Sequence, residues 1–348
     1  MLSSALKVPT LATEYRFKEL NMTDDFTFSN LSPNVVLNNI EALGFRCDGR
    51  LFELNSFENR VFQVGIEDEP PLIAKFYRPG RWTDEQILEE HSFTLQLEEE
   101  EIPAIAPLTI NHRSLFEQDH YRFALYTRQG GYPPELENEE QLESIGRTIG
   151  RIHAFGSTQL YRHRETVDIK TTSINSRQLI LDHFVPKAYK ANYEAISDEL
   201  LLQLQAAQPA IAALPHLRLH GDCHLGNILW QAPKPFFLDF DDSFNGPQIA
   251  DIWLLFSKSD DSEFNQRQLN RLLNGYELFY SFDDAQLAYT EIFRAFRILN
   301  YTAWIGKRWQ DPAFPKAFQW FNSDSFWRDH LRDLQLQNER MQQKGFIV

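Results

Sequence analysis

An α+β fold in two lobes, the first rich in strands and the second mainly helical, is what the sequence predicts, and three observations predict it. Short apolar and aromatic runs bounded by polar turns, at 51–54, 61–66, 72–77 and 123–126, crowd the first third of the chain. Apolar residues at helical spacing dominate the remainder. Between the two regimes, residues 127–134 contain two glycines and two prolines, the composition of a connector. Residues 22–128 are therefore assigned to the first lobe and 129–348 to the second. The length of 348 residues accommodates both, at about 100–200 residues per domain.

Composition narrows the function by exclusion. A formal charge of −15 argues against a general nucleic-acid or anionic-membrane binder, either of which needs a basic face. The only cysteines, Cys47 and Cys223, lack metal-binding spacing and suit a reducing compartment better than a disulfide framework. No apolar run approaches the roughly 20 residues of a membrane span, and the start is not a secretory signal, so the cytoplasm is expected. Residues 1–21 show no amphipathic period and read either as a flexible extension or as an upstream start, with Met22 the true first residue.

Taken in order, Ser32-Pro33-Asn34 opens a short helix that Gly44 stops. The turn after the first strand, Asn55-Ser56-Phe57-Glu58-Asn59-Arg60, is polar and contains no glycine; alone it is a hairpin turn. Lys75 shares a strand face with Ile73 and Tyr77, and alone would be an edge or snorkelling lysine. Thr83-x-x-Gln86 is a capping box for the next helix. On that helix Ile87, Leu88, Phe93, Leu95 and Leu97 form an apolar arc that includes Glu90. A carboxylate there requires a cation, whereas Glu89 and the run 98–101 are read as solvated.

The second lobe opens with a helix capped by Asn138 and Gln141, on which Gly146 and Gly150 permit close approach of another element. His153 is read as a satisfied structural histidine, and 178–207 as helical. Beyond the centre, Asp251 caps a buried helix or braces a neighbouring loop. A later helix beginning near Leu287 carries Arg294, Arg297, Lys307 and Arg308, which either face an acceptor or phosphate or, as is more common, lie on a solvated face. Phe314, Phe318, Trp320 and Trp327 are assigned to the core or to sealing the lobes together.

The chemistry concentrates at 217–256. His220-Gly221-Asp222-Cys223-His224-Leu225-Gly226-Asn227 precedes two apolar strands joined by the proline-interrupted stretch 231–235. If the strands pair, Asn227 and Asp239 emerge together at the open end. A carboxylate beside a carboxamide oxygen suits a hard cation such as magnesium. Zinc bound by His220, Asp222 and His224 is the competing reading.

These residues carry a resemblance. His220-Gly221-Asp222-x-His224-x-x-Asn227 with the later Asp239 resembles the aminoglycoside phosphotransferase and choline kinase group, a branch of the protein-kinase-like fold. Further likeness at 51–60, Lys75 to Pro79, Arg81-Trp82-Thr83, Asn245-Gly246-Pro247 and Asp311 to Lys316 points to a bacterial branch of serine/threonine protein kinases. It covers roughly residues 26–327.

The resemblance implies a bilobal kinase fold using ATP and Mg2+. Asp222 would be the proton acceptor, and Asn227 and Asp239 the metal ligands, with Asp241, His220 and His224 in supporting places. Lys75 would steady the phosphates in a pair with Glu90, and Ser56 and Asn59 would contact ATP, the turn having no glycine for that task. The implied partners are proteins with Ser/Thr acceptors, the chain is expected to be a monomer, and a role in bacterial stress response is expected. Asp239-Phe240-Asp241 stands where protein kinases have Asp-Phe-Gly, and no Ala-Pro-Glu comes after it. A kinase of a choline-like, homoserine or aminoglycoside alcohol is therefore the alternative, and a nucleotide-binding scaffold without turnover the third reading.

Overall fold

Strand alternation builds the first lobe in two layers. A computed structural model describes residues 28–135, 137–256 and 262–343; the extension read at 1–21 lies outside them. Helix α1 (Pro33–Glu41) is capped by Ser32, and strands β1 (Cys47–Glu53), β2 (Arg60–Ile66) and β3 (Glu69–Phe76) come next. After helix α2 (Asp84–Glu99) come β4 (Phe116–Gln118) and β5 (Tyr121–Thr127). The sheet is antiparallel throughout, in the order β1-β2-β3-β5-β4. Leu72, Ala74 and Phe76 point to one face, where they pack with Val36 and Ile40 of α1. Ile73, Lys75 and Tyr77 point to the other, toward α2 and the second lobe. Three-residue β4 carries too short a pattern to be read from sequence.

Helix α2 belongs to both lobes. Its capping box forms as the sequence predicts, with the Thr83 side chain accepting from Gln86 N–H and Gln86 reaching back to Thr83. Ile87 packs under the sheet, whereas Phe93 and Leu97 enter the core of the second lobe. Two readings on this helix are corrected. Leu88 is exposed, because the buried arc is narrower than assigned. Glu89 is not solvated: its carboxylate accepts the backbone N–H groups of Arg162 (2.5 Å), His163 (2.8 Å) and Arg164 (2.9 Å). Three converging donors hold a carboxylate better than water does.

The second lobe is helical around one large core. Helix α3 (Glu139–Gly156) runs against α7 (Ser262–Tyr276) at very short range. Helices α4 (Ile169–His183) and α5 (Lys190–Ala213) replace the single helix expected over 178–207. Pro186 is the reason: it has no N–H to donate and disfavours helical backbone in Val185, so the chain turns and restarts. Strands β6 (Leu217–Arg218) and β9 (Asn245–Gly246) pair, and between them lies the hairpin β7 (Ile228–Gln231) and β8 (Lys234–Phe237). A buried turn α6 (Ile249–Ile252), helix α8 (Thr290–Lys307), short α9 (Ala313–Ala317) and α10 (Asp324–Gln342) complete the order. Residues 284–289 form a tighter 3-10 turn, which is why α8 starts later than its apolar pattern. Phe314, Phe318 and Trp327 are buried as expected, but Trp320 remains 41% exposed. Among the described residues no helix is long and apolar enough to cross a membrane.

Candidate active site

The loop 219–227 is held from below by one carboxylate. Both oxygens of buried Asp251 are committed: Oδ2 accepts His220 N–H (2.8 Å) and Oδ1 accepts Gly221 N–H (2.9 Å). His153 Nε2 lies 3.2 Å from Oδ2, and its Nδ1 meets the Tyr276 hydroxyl at 2.9 Å. The brace and the structural histidine are one unit. Gly221 has φ +87°, and a Cβ there would stand 2.0 Å from the Asp242 carbonyl, so the loop passes where only glycine fits.

Asp222 emerges from this loop with its carboxylate engaged. Oδ1 accepts from Arg297 Nη1 (2.7 Å), and Oδ2 is 3.2 Å from His224 Nε2 and 3.3 Å from Asn227 Nδ2. Burial opposes its charge, but the His224 bond and the Arg297 guanidinium hold the carboxyl well below the usual carboxylate range. It is ionised at neutral pH. Arg297 therefore faces the site, the less common of the two readings open for it, and a lone cation on a helix has no sequence signal that would have ranked that reading first. His220 Nε2 meets the Leu238 carbonyl at 3.0 Å and His224 Nδ1 accepts Gly226 N–H at 2.9 Å, so both rings stabilise the loop. Among the described residues no three His, Cys, Asp or Glu side chains gather as metal ligands, which leaves the zinc reading without its trio.

Hairpin register brings Asn227 and Asp239 to the same end. Ile228 pairs with Phe237, and Leu238 N–H donates to Asn227 O at 3.0 Å. The Asn227 amide nitrogen is spent on the Asp222 carbonyl (3.0 Å) and carboxylate, which leaves its oxygen as the available donor to a cation. Asp239 sits in left-handed backbone, φ 64° and ψ 64°, with its side chain 46% exposed. Hard, partly exposed oxygens of this kind fit magnesium.

Lys75 pairs with Asp239 at 2.6 Å and lies 3.5 Å from Asp241; it makes no ion pair with Glu90, contrary to the sequence expectation. Burial works against its charge, and the two aspartates outweigh that, raising its pKa. The physical reason for the rearranged pairing is competition: two carboxylates on the loop after β8 reach the ammonium first. Asp241 is also bonded by Asn59 Nδ2 (3.0 Å) and Arg81, and its backbone carbonyl by Arg164 (2.5 Å). Asn59 is thus turned to Asp241, while Ser56 lines the cleft.

Glu90 remains buried close to Lys75, with Oε2 unbonded. Burial above all, offset by Lys75 and Arg164 and reinforced by Asp241 and Asp239, pushes its carboxyl from 4.5 up to about 7. A raised acid binds more protons folded than unfolded, so its stabilising share is full below pH 4.5 and is lost as pH rises through 7. That difference corresponds to roughly 3 kcal/mol. Glu90→Gln is expected to gain melting temperature relative to wild type as pH goes from about 5 to about 8; a difference independent of pH would remove this account.

Lys75, Glu90, Asp222, His224, Asn227, Asp239 and Arg297 line one cleft of about 1000 Å³ between the lobes. Leu54, Val61, Ile73, Tyr126 and Leu229 from the sheet and the hairpin, and Phe244, Trp253, Phe296 and Tyr301 from the second lobe, supply apolar lining.

Comparison with known proteins gives concordant results. The sequence pattern of the phosphotransferase enzyme family matches residues 52–289. Stress response kinase A of Escherichia coli (strain K12) is 41% identical over 303 residues, 87% of this chain and 91% of that protein. A serine/threonine protein kinase, RdoA, of Salmonella typhimurium is 38% identical over 304 residues, with the same coverages of 87% and 91%. Among solved structures, an amicoumacin kinase in complex with AMP-PNP, Ca2+ and its ligand matches with a TM-score of 0.68 at 19% identity, over 88% of this chain and 92% of that one. A microcompartment-associated aminopropanol kinase matches with a TM-score of 0.64 at 16% identity, over 88% and 96%. At these identities the structures speak for the fold.

Proposed function

The chain belongs to the phosphotransferase enzyme family, and from that premise we propose that this kinase moves the γ-phosphate of ATP, with Mg2+, to serine or threonine hydroxyls of proteins. The observation that carries the reading is the convergence of Lys75, Asp222, Asn227 and Asp239 on one cleft. Kinship with proteins named as a stress response kinase and a serine/threonine protein kinase supports the acceptor class. The first of those names also supports a role in stress response.

In this reading Asp222 orients the acceptor hydroxyl. Its low proton affinity makes it a poor base in the ground state, so it aligns the oxygen in line with the γ-phosphorus and receives the proton late, as the new P–O bond nears completion. Asn227 and Asp239 would hold Mg2+, which neutralises charge on the phosphates. Lys75 shifts from Asp239 toward phosphate oxygens, with Glu90 buried close by. The apolar lining from the sheet and the hairpin takes the adenine.

A second reading has its own support. From Asp239 the chain passes through a 3-10 turn and β9 into buried α6 within a dozen residues, leaving no separate platform for a polypeptide. The amicoumacin kinase and the aminopropanol kinase of similar fold are both named for small molecules. The deciding measurement is γ-labelled ATP with Mg2+ and a generic protein substrate, Asp222→Ala serving as blank. Acid-stable phosphoserine or phosphothreonine is expected on protein. ATP consumed only upon addition of small alcohols would transfer the assignment to a metabolite kinase.

A further inference from the structure

One helix holds both halves of the site. On α8, Arg297, Tyr301, Trp304 and Arg308 (the last its C-cap) recur at steps of four, three and four residues, and so share a face. That face lines the cleft through Arg297, Tyr301 and Trp304. Arg297 holds Asp222. Two turns further on, Trp304 Nε1 donates to Glu58 Oε2 at 2.6 Å, and Arg308 Nη2 donates to Glu58 Oε1 at 2.6 Å.

Glu58 lies in the glycine-free turn between β1 and β2, and its side chain is only 12% exposed. Arg78 and Arg81 also approach it, at 3.3 and 3.6 Å. Burial opposes its charge, but Arg81, Arg308 and Arg78 together keep its carboxyl below the usual range. Its neighbours are anchored as well. The Phe57 ring packs on Phe318 with centroids 5.1 Å apart, and Asn59 receives Arg78 N–H at 3.0 Å. Three successive residues are thus pinned to groups outside the turn, leaving Asn55 and Ser56 beside the cleft. A glycine-rich loop covers phosphates by closeness; here the backbone is set by what its side chains grip.

We propose that Glu58, gripped by Trp304 and Arg308, is a positioning residue that sets the turn over the nucleotide phosphates, so that α8 ties the nucleotide site to Asp222. The proposal rests on the ATP reading above. It makes the nucleotide affinity depend on a helix that belongs to the acceptor side.

The test is calorimetric binding of Mg–ATP to the full-length protein, with melting temperature recorded separately. Trp304→Phe keeps the ring and deletes one charge-assisted bond, and is expected to raise Kd roughly tenfold. Arg308→Met should do likewise, with Arg308→Lys recovering part of the loss. Adding Glu58→Gln to Trp304→Phe should cost less than the two changes summed, because the Trp304–Glu58 bond that both weaken is counted once. A purely structural role would lower the melting temperature and leave Kd of the folded protein unchanged. If wild type binds Mg–ATP and Trp304→Phe binds it equally well, the positioning role is wrong while the kinase reading stands. If wild type itself fails to bind Mg–ATP, the ATP reading falls, and this inference with it.

Discussion

Replacing Asp222 by alanine should reduce phosphoryl transfer by roughly 10²–10⁴-fold, the span associated with losing a positioned proton acceptor, and leave Mg–ATP binding nearly unchanged. The split comes from where its carboxylate points. Neither oxygen touches Lys75 or Asp239; both face Arg297, His224 and Asn227. The loop itself is fixed by Asp251 through His220 and Gly221 backbone, so it does not need the Asp222 side chain to keep its path. Asp239→Ala should behave differently and weaken Mg–ATP binding together with turnover, since it removes the oxygen proposed to hold Mg2+ and a partner of Lys75. Single-turnover rates and calorimetric Kd values for the two variants check both statements. Equal transfer by wild type and Asp222→Ala would sink the mechanism.

A large effect on stability that does not depend on pH is expected at Gly146. A Cβ at this position would lie 2.0 Å from the Leu272 carbonyl oxygen of α7, and one at Gly275 would lie 2.0 Å from the Glu143 carbonyl of α3. These are backbone atoms that cannot rotate aside. Alanine gains about 1 kcal/mol of helix propensity over glycine, but forcing two packed helices apart costs about 3 kcal/mol or more. Gly146→Ala should therefore be destabilised by about 2 kcal/mol net, a drop of roughly 4–8 °C in melting temperature for a lobe of this size. Gly130→Ala is the control, because nothing lies within 4 Å of its added carbon and its φ is ordinary. An unchanged Gly146→Ala melting curve would mean that the helices sit further apart than described.

Much of this is legible in the chain because it depends on local patterns. The period-two strands, the Thr83 cap, the paired glycines of α3 and the hairpin that delivers Asn227 beside Asp239 all derive from residues close in sequence. What escapes depends on partners far along the chain. Glu89 looks solvated because its partners, the backbone amides of 162–164, carry no side-chain signature. Kinship matches Glu90 to Lys75, yet Asp239 and Asp241 compete for the same ammonium, and a sequence does not rank distances. Glu58 and Arg308 are 250 residues apart, and neither looks unusual alone. The break at Pro186 is different in kind, since the proline itself announces it.

The left-handed backbone at Asp239 restricts which amino acids can stand there. Glycine, asparagine and aspartate tolerate such dihedrals, whereas branched and bulky residues do not. Of the tolerated three, only aspartate brings a charge. Drift at this codon therefore has a short path to asparagine, a single base change that preserves the fold and removes the carboxylate proposed to hold Mg2+. Within this lineage, a protein with an intact structure and Asn at this position would be the form a retired enzyme takes, recognisable from one letter before any assay is run.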